Sequence, residues 1–344
     1  MSIFKYSLSL LLFIMTGNIQ AEQVSPSAND VIASWPDSAS ETYTYTQALT
    51  VLNQTQQFGH SAAPLKQLIQ SLNSSENSQM SAEELTFIEA SILQRNHNFS
   101  EAAKKLSPLN SPSSLILLAS VYNNLGLHEK SAETCKKLAS GNAHLVALTC
   151  MLDARFQQTP SATSYQKLQQ LAAALGTRQS QDVKRWVNQT LAFMALSLER
   201  PDQALTHIEP ISLNDAATAT VSLWGQAQLA LQNYSDLLSR LSPVAKEADE
   251  LDDSILLLLA TAEKQVGTDT YWQTRAEQRI SLRIWRQDWS HAAYIARYYL
   301  DVKPDEKKAQ HYARINYDVA KGLEDKHLLK RTGLSLSQAQ VDNT

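Results

Sequence analysis

Residues 115–138, LILLASVYNNLGLHEKSAETCKKL, decide the fold of this chain. Apolar or small residues recur there three and four positions apart, which is the spacing of one face of an α-helix. The pattern breaks at Gly126, a residue typical of turns, and then resumes. The stretch therefore predicts two antiparallel helices packed on each other. The positions that carry the pattern are Leu115, Leu118, Ala119 and Tyr122 before the turn, and Ser131, Cys135 and Leu138 after it.

A short pattern related to the second helix recurs along the chain. A bulky residue is followed by two variable residues and then by a small or apolar one, and each copy is expected to open a helix. Self-similarity of this kind predicts a helical solenoid, in which each helix pair buries its apolar face only against its neighbours. The copies are Phe99–Ala102, His128–Ser131, Pro201–Ala204, Tyr234–Leu237 and Trp289–Ala292.

With a glycine at the turn and a small residue where the helices would cross, the unit at 115–138 resembles a tetratricopeptide repeat. The resemblance implies an all-α, right-handed α-solenoid of degenerate repeat-like helix hairpins over residues 42–332, with an extra helix between Tyr234 and Trp289. Its fit is looser elsewhere, and residues 43–73 read as one more helix pair. Further positions that fit are Ala90, Ala102, Leu106, Ala192, Ala204, Ile208, Trp224, Gly225, Tyr234, Leu241, Trp289, Ala292, Ala296 and Pro304.

A narrower resemblance links the chain to uncharacterised exported bacterial repeat proteins. It is carried by Gln94–Phe99, by Cys135 with Leu138 and Cys150, and by Asn316–Leu329, although that set tends to have Trp where Tyr317 stands. Genes of that set often lie beside one for a membrane metal permease. The resemblance implies a cell-envelope context and assigns no activity.

The composition agrees with an all-α protein. Only 9 of the 344 residues are Gly and 10 are Pro, so few positions break a helix. At the beginning, Lys5 and the apolar run Ser7–Met15 predict a signal peptide over residues 1–21, cleaved after Ala21. Because this run is too short to span a bilayer, an uncleaved anchor is the less favoured alternative.

The remaining terminal segments are expected to lie outside the fold. Residues 22–41 are predicted to be a flexible leader and residues 333–344 a disordered tail. The mature chain is expected in the periplasm of a Gram-negative bacterium, or secreted, with no insertion into the membrane.

Two cysteines, Cys135 and Cys150, are candidates for a disulfide, because an exported chain meets an oxidising compartment. Gly141–Asn142 is the expected turn between two helices, which places the cysteines at similar heights on either side of it. A bridge there would stabilise the fold by about 3 kcal/mol. Two buried thiols are the alternative.

The charge balance argues against nucleic-acid binding. The chain has 30 basic and 34 acidic residues, a formal net charge of −4, and loss of Lys5 with the signal peptide makes it about −5. One basic patch stands out. Arg275, Arg279, Arg283 and Arg286 fall within about 80° of one another on a helix. They could contact an anion or an acidic partner; the alternative is an ordinary solvated face.

A concave groove is the second candidate site, because the variable positions of each first helix line such a groove in tetratricopeptide arrays. Polar and aromatic residues there would suit an extended peptide, whose backbone needs donors and acceptors. Generic helix surface is the alternative. The groove candidates are Phe87, Ser91, Gln94, Arg95, Ser120, Asn123, Asn124, Gln189, Phe193, Ser197, Ser222 and Gln226.

No catalytic constellation, cofactor motif or metal-ligand spacing is found in the sequence, and the eight histidines form no HExxH pattern. The sequence therefore predicts a non-enzymatic module that binds or scaffolds a protein or peptide in the cell envelope. The alternatives are an envelope hydrolase, acting on peptidoglycan or protein, that uses the solenoid as a platform, and a structural subunit of an envelope assembly or of a complex associated with a metal permease.

Overall fold

The fold is described from a computed structural model, which covers residues 42–73, 79–140, 144–175, 179–267 and 269–336. Within these residues the chain forms α-helices and a single isolated β-bridge, and residues Thr42–Thr344 make one compact unit. The predicted all-α class is therefore confirmed. The predicted signal peptide and leader, the Gly141–Asn142 turn and most of the predicted tail lie outside the described residues.

The described helices follow one another with short connections. In chain order they are α1 (Tyr45–Gln54), α2 (Ala63–Asn73), α3 (Ala82–Arg95), α4 (Phe99–Leu106), α5 (Pro112–Asn124), α6 (His128–Lys137), α7 (His144–Gln158), α8 (Ala162–Leu175), α9 (Gln181–Ser197), α10 (Pro201–Ile208), α11 (Thr218–Ala230), α12 (Tyr234–Glu247), α13 (Asp253–Val266), α14 (Tyr271–Trp285), α15 (Ala292–Arg297), α16 (Glu306–Val319) and α17 (Leu323–Arg331).

The repeated sequence pattern does mark where helices begin. Four of its five copies start α4, α6, α10 and α12 at their bulky residue, and the fifth starts a single 3₁₀ turn at Trp289 that leads into α15. Before each of the five, the residue two positions earlier has a φ in the left-handed region, which reverses the chain. These residues are His97 (φ 58°), Gly126 (72°), Glu199 (59°), Gln232 (60°) and Gln287 (53°).

Helices that are adjacent in sequence pack together along most of the chain, and the odd-numbered helices form a second series of contacts. α1 packs on α3, α3 on α5, and the series continues in steps of two to α15 on α17. The residues 43–73 form the expected additional helix pair, α1 and α2. Two helices, α13 and α14, lie between α12 and the turn at Trp289, one more than a regular hairpin would place there, so the expected extra helix is present.

Contacts between distant helices depart from the expectation that each hairpin touches only its neighbours. The α1–α2 turn meets the α10–α11 connection, where Phe58 N–H donates to the Ala216 carbonyl and Thr218 N–H to the Gln56 carbonyl, both at 2.9 Å. Three turns in the first third of the chain also meet connections twelve helices further on: the α1–α2 turn meets the start of α13, the α3–α4 turn the start of α15, and the α5–α6 turn the start of α17. The contacts are Asp249 N–H to the Gly59 carbonyl (3.2 Å), the His97 and His291 rings (centroids 5.9 Å apart), and Lys321 N–H to the Asn124 carbonyl (2.6 Å).

Apolar burial divides into several clusters along the helix series, the largest of which is centred on α11 to α13. In α13, the run Ile255–Ala260 is buried throughout. Gly225 lies where α11 crosses α13, and a Cβ there would approach Leu258 Cδ1 to 2.5 Å. A small residue is therefore required at this crossing. Among the described residues, we find no helix long and apolar enough to cross a membrane.

Cys135 on α6 and Cys150 on α7 lie at bonding distance, with their Cα atoms 5.6 Å apart. Both are buried against Leu115, Ala119 and Leu138. The predicted pairing thus agrees with the structure, and the bridge fixes two consecutive helices whose connecting residues include the 141–143 segment.

Candidate functional site

A polar cleft of about 440 Å³ lies where the α1–α2 turn and the end of α3 meet α13 and α14. It is one of the distant contacts described above, so its walls come from opposite ends of the chain. Four arginines line it: Arg95 from α3, Arg279 and Arg283 from α14, and Arg286 directly after α14. We call it the arginine cleft.

A buried carboxylate fixes two of these arginines. Asp253, at the start of α13, has a side chain only 2% exposed. Its Oδ1 accepts from Arg279 Nη1 at 2.7 Å and its Oδ2 from Arg283 Nε at 3.0 Å. Arg279 also donates to the Leu251 carbonyl at 3.2 Å. The like charges one turn apart on α14 are therefore compensated by a single acid on the neighbouring helix.

A second carboxylate, Asp288, continues the network. It accepts from Arg283 Nη1, Ser290 Oγ and His291 Nδ1. Burial opposes ionisation of this acid, but these hydrogen bonds prevail and lower the pKa of Asp288 to about 2. Burial likewise opposes the charge of Arg283, yet Asp253 and Asp288 raise its pKa. Both groups are thus held ionised at the edge of the cleft.

Arg95, a predicted groove residue, is instead part of this cleft. Its guanidinium donates to the Thr55 hydroxyl at 2.7 Å, the Thr55 carbonyl at 3.0 Å and the Leu52 carbonyl at 3.3 Å. All three acceptors are neutral. Because burial removes water from the charge, the pKa of Arg95 is lowered, although Asp252 partly offsets this. The structure therefore joins two sets of residues that the sequence had kept apart.

The other charged groups of the cleft differ in how far they are already satisfied. Glu250 accepts from Ala62 N–H at 3.0 Å and pairs with Lys66 at 3.5 Å. Asp252 caps α13 by accepting from Ser254 N–H at 2.8 Å. Arg286 is exposed, and within the described part of the chain its guanidinium has no hydrogen-bond or ion-pair partner.

Beside the cleft, α14 displays unusually exposed apolar side chains. Trp285 is 78% exposed, and Leu282 and Tyr271 are each 40% exposed. With Arg286 they fall within about 100° of one another around the helix axis. We call Tyr271, Leu282, Trp285 and Arg286 the α14 face. Arg275 stacks over the rings of Tyr271 and Trp272 at 5.8 and 5.4 Å, so it packs along the helix instead of lining the cleft.

The other predicted groove residues lie on four odd-numbered helices, α3, α5, α9 and α11. Ser120 is exposed, Asn123 is buried, and the remaining ones are half-buried. Several are engaged with the chain itself. Their contacts are Phe87 with the Tyr45 ring, Ser91 Oγ to the Phe87 carbonyl, Asn123 Nδ2 to Asp153, the Asn124 carbonyl from Lys321 N–H, Gln189 to Thr220, Phe193 with the Phe156 ring, and Gln226 to Ser222. Gln94 and Ser197 are half-buried on α3 and α9.

Sequence reasoning missed the residues that organise the cleft. No motif in the sequence marks Asp253, Asp288 or His291 as members of a site. The near-perfect alignment of arginines on α14 was the available signal that a buried acid lay opposite. Which acid it was depends on how α13 packs on α14. The described residues contain no cluster of three or more potential metal ligands.

We compared the chain with protein-family models, with curated proteins and with solved structures, and none matches it. The site is therefore interpreted from its own geometry.

Proposed function

We propose that this chain is an exported helical-repeat protein that binds a peptide or protein segment in the cell envelope, and that the α14 face is its docking surface. The observation that carries the proposal is Trp285, whose side chain is 78% exposed next to Arg286, a guanidinium that no other described residue engages. Trp, Tyr and Arg are the residues most enriched at the energetic centres of protein interfaces. Burying Trp285 against a partner would remove a large apolar area from water.

The repeat architecture supports this role. We infer that the helices form a right-handed α-solenoid of tetratricopeptide-like hairpins, in which the odd helices make the inner layer. Three of the distant contacts share an offset of twelve helices, which is what a superhelix completing one turn in about six hairpins would give. Such a coil brings the edges of successive turns together. The arginine cleft lies at such a seam, between the α1–α2 turn and α13.

Export of the chain is the second part of the proposal. A buried cysteine pair at bonding distance is common in oxidising compartments and rare in the cytosol. The mature chain isolated from its native cells should begin at Glu22, which N-terminal sequencing or intact-mass measurement can determine. A chain that retains residues 1–21 would contradict cleavage after Ala21.

Site-specific photocrosslinking tests the docking surface. A photoreactive amino acid at position 285 should crosslink one defined partner in native cells. The same group at position 319 should not, because Val319 is also exposed (48%) but belongs to α16. Trp285→Ala should abolish co-purification of that partner, whereas Val319→Ala should keep it, and both variants should melt close to the wild-type temperature. Equal capture at both positions, or capture that survives Trp285→Ala, would reject the α14 face.

A further inference from the structure

We infer that the arginine cleft is the anchor of the α14 face, and that it takes one acidic side chain, Asp or Glu, from an extended segment whose apolar residues pack on Leu282 and Trp285. This inference rests on the proposed function and adds to it the chemistry of the partner. The ligand group is a carboxylate, and the residues expected to bind it are Arg286 and the cleft-facing donors of Arg95 and Arg279.

Unused donors in the cleft support an anionic ligand. A guanidinium has five N–H donors. Arg279 uses Nη1 for its two described hydrogen bonds, and Arg95 uses Nη1 and Nη2 on neutral oxygens. Arg286 uses none within the described chain. Guanidinium groups with remaining donors match the planar, two-oxygen geometry of a carboxylate.

Charge supports one carboxylate in preference to a polyanion. The lining contains four arginines and three acids, Glu250, Asp252 and Asp253. Asp253 is enclosed between Arg279 and Arg283, Glu250 is paired with Lys66, and Asp252 caps α13. One added negative charge would balance the lining, whereas several would be repelled by Glu250 and Asp252.

The position of the cleft favours an acidic side chain over a chain terminus. The cleft opens beside the last two turns of α14, near Leu282 and Arg286. Exposed aromatic surface extends from it in both directions: Tyr271 lies at the start of the helix and Trp289 (37% exposed) follows its end. A helix of 15 residues is about 22 Å long. A segment following this surface would pass the cleft and continue, so that an internal residue reaches into it.

Two matched peptide libraries test the inference. Both contain terminally blocked twelve-residue peptides with random Leu, Phe, Ala and Ser at the flanking positions; one has a fixed central Glu and the other a fixed central Gln. The full-length mature protein should retain the Glu library about 10-fold more strongly, which corresponds to about 1.4 kcal/mol. A third library with a central phosphoserine distinguishes carboxylate from phosphate and should be retained less than the Glu library.

Arginine variants identify the anchor. Arg286→Met should abolish the preference for Glu over Gln, because it removes a guanidinium expected to bind the carboxylate. The fold should stay intact, since Arg286 is exposed. Arg275→Met is the matched control, since Arg275 is on the same helix but does not line the cleft. Equal retention of the Glu and Gln libraries, including no retention of either, overturns the inference, as does stronger retention of phosphoserine peptides. If crosslinking at Trp285 still succeeds in that case, the proposed function stands without this anchor.

Discussion

The Lys326 ammonium donates a hydrogen bond to Nε2 of His128 at 3.1 Å, although the two residues are 198 positions apart. His128 Nδ1 lies 3.4 Å from Asn123 Oδ1, and Asn123 Nδ2 donates to Asp153 at 3.1 Å. One polar chain therefore links α17 to α5, α6 and α7. Since its members titrate, the contact between the two ends of the fold depends on pH.

Acid should weaken the fold through His128. Burial and the nearby Lys326 lower the pKa of His128 to about 4 from the ordinary 6.5. The unfolded chain therefore binds this proton more readily, and the contribution of His128 to stability, complete above pH 6.5, is lost as the pH falls towards 4. In urea unfolding, the advantage of wild type over His128→Gln should shrink by about 2 kcal/mol between pH 7 and 4.5. An advantage that does not change with pH would contradict this.

Asp153 provides an internal check, because its effect on the pH dependence of stability has the opposite sign to that of His128. Burial raises the pKa of Asp153 to about 6, against hydrogen bonds from Gln157 and Asn123 that lower it. The folded chain binds this proton first, so the contribution of Asp153 to stability rises as the pH falls from 6 towards 4. Asp153→Asn removes that gain, and its stability should fall more steeply with acid than that of wild type. Parallel pH profiles would show that folding does not raise the pKa of Asp153.

Gly126 and Gly267 form a matched pair that measures the docking of α17. Their φ values are 72° and 73°, so replacement by Ala imposes the same left-handed strain, about 1 kcal/mol. A Cβ at Gly267 would meet nothing within 4 Å, whereas one at Gly126 would lie 3.0 Å from Lys321 Cβ and 3.1 Å from the Lys321 carbonyl oxygen. Gly126→Ala should therefore cost about 1–2 kcal/mol more than Gly267→Ala in thermal or urea unfolding. Equal losses of stability in the two variants would mean that Lys321 moves away from the new Cβ at no cost.

Asp253 should be a stability determinant. Asp253→Asn leaves the guanidinium groups of Arg279 and Arg283, whose side chains are 30% and 23% exposed, without the charge that lies between them. We expect a loss of about 2–3 kcal/mol in the free energy of unfolding. Asp249→Asn is the control, because Asp249 is an exposed acid in the same connection, and it should change stability by less than about 0.5 kcal/mol. Similar losses for the two variants would contradict the bridging role.

The cysteine pair should be oxidised in the mature protein. Thiol labelling of the unreduced, denatured chain should detect no free thiol, and replacement of both Cys135 and Cys150 by Ser should cost about 3 kcal/mol, since the bridge closes a loop of 15 residues. Labelling of two thiols per chain would show that the pair is reduced. In that case, the free energy of unfolding should be the same with and without reductant.

The local structure of this protein could be predicted from its sequence. The repeated pattern predicted the helix starts at Phe99, His128, Pro201 and Tyr234, and the structure confirms them. Each of these features depends on residues within a few turns of one another. Periodicity, capping and turn residues encode such features directly.

The candidate site could be predicted only in part. The arginine stripe was visible, because its members share one helix. The pairing of these arginines with Asp253 and the position of Arg95 in the same cleft could not be predicted. Asp253 and Arg95 lie on other helices, and nothing in their own sequence neighbourhoods indicates the contact. The exposure of Trp285 was also hidden, since an apolar residue in a helical pattern is usually assigned to the core.

The sequence by itself therefore determined the helices, their hairpin pairing and the cysteine pair. Only the tertiary structure decided that the α1–α2 turn meets α13 and that Asn124 meets Lys321. The reason is that contacts between distant helices depend on the small rotation from each hairpin to the next, accumulated over many hairpins. No single hairpin encodes this accumulated rotation. The arginine cleft forms because the rotation brings the α1–α2 turn and α3 against α13 and α14.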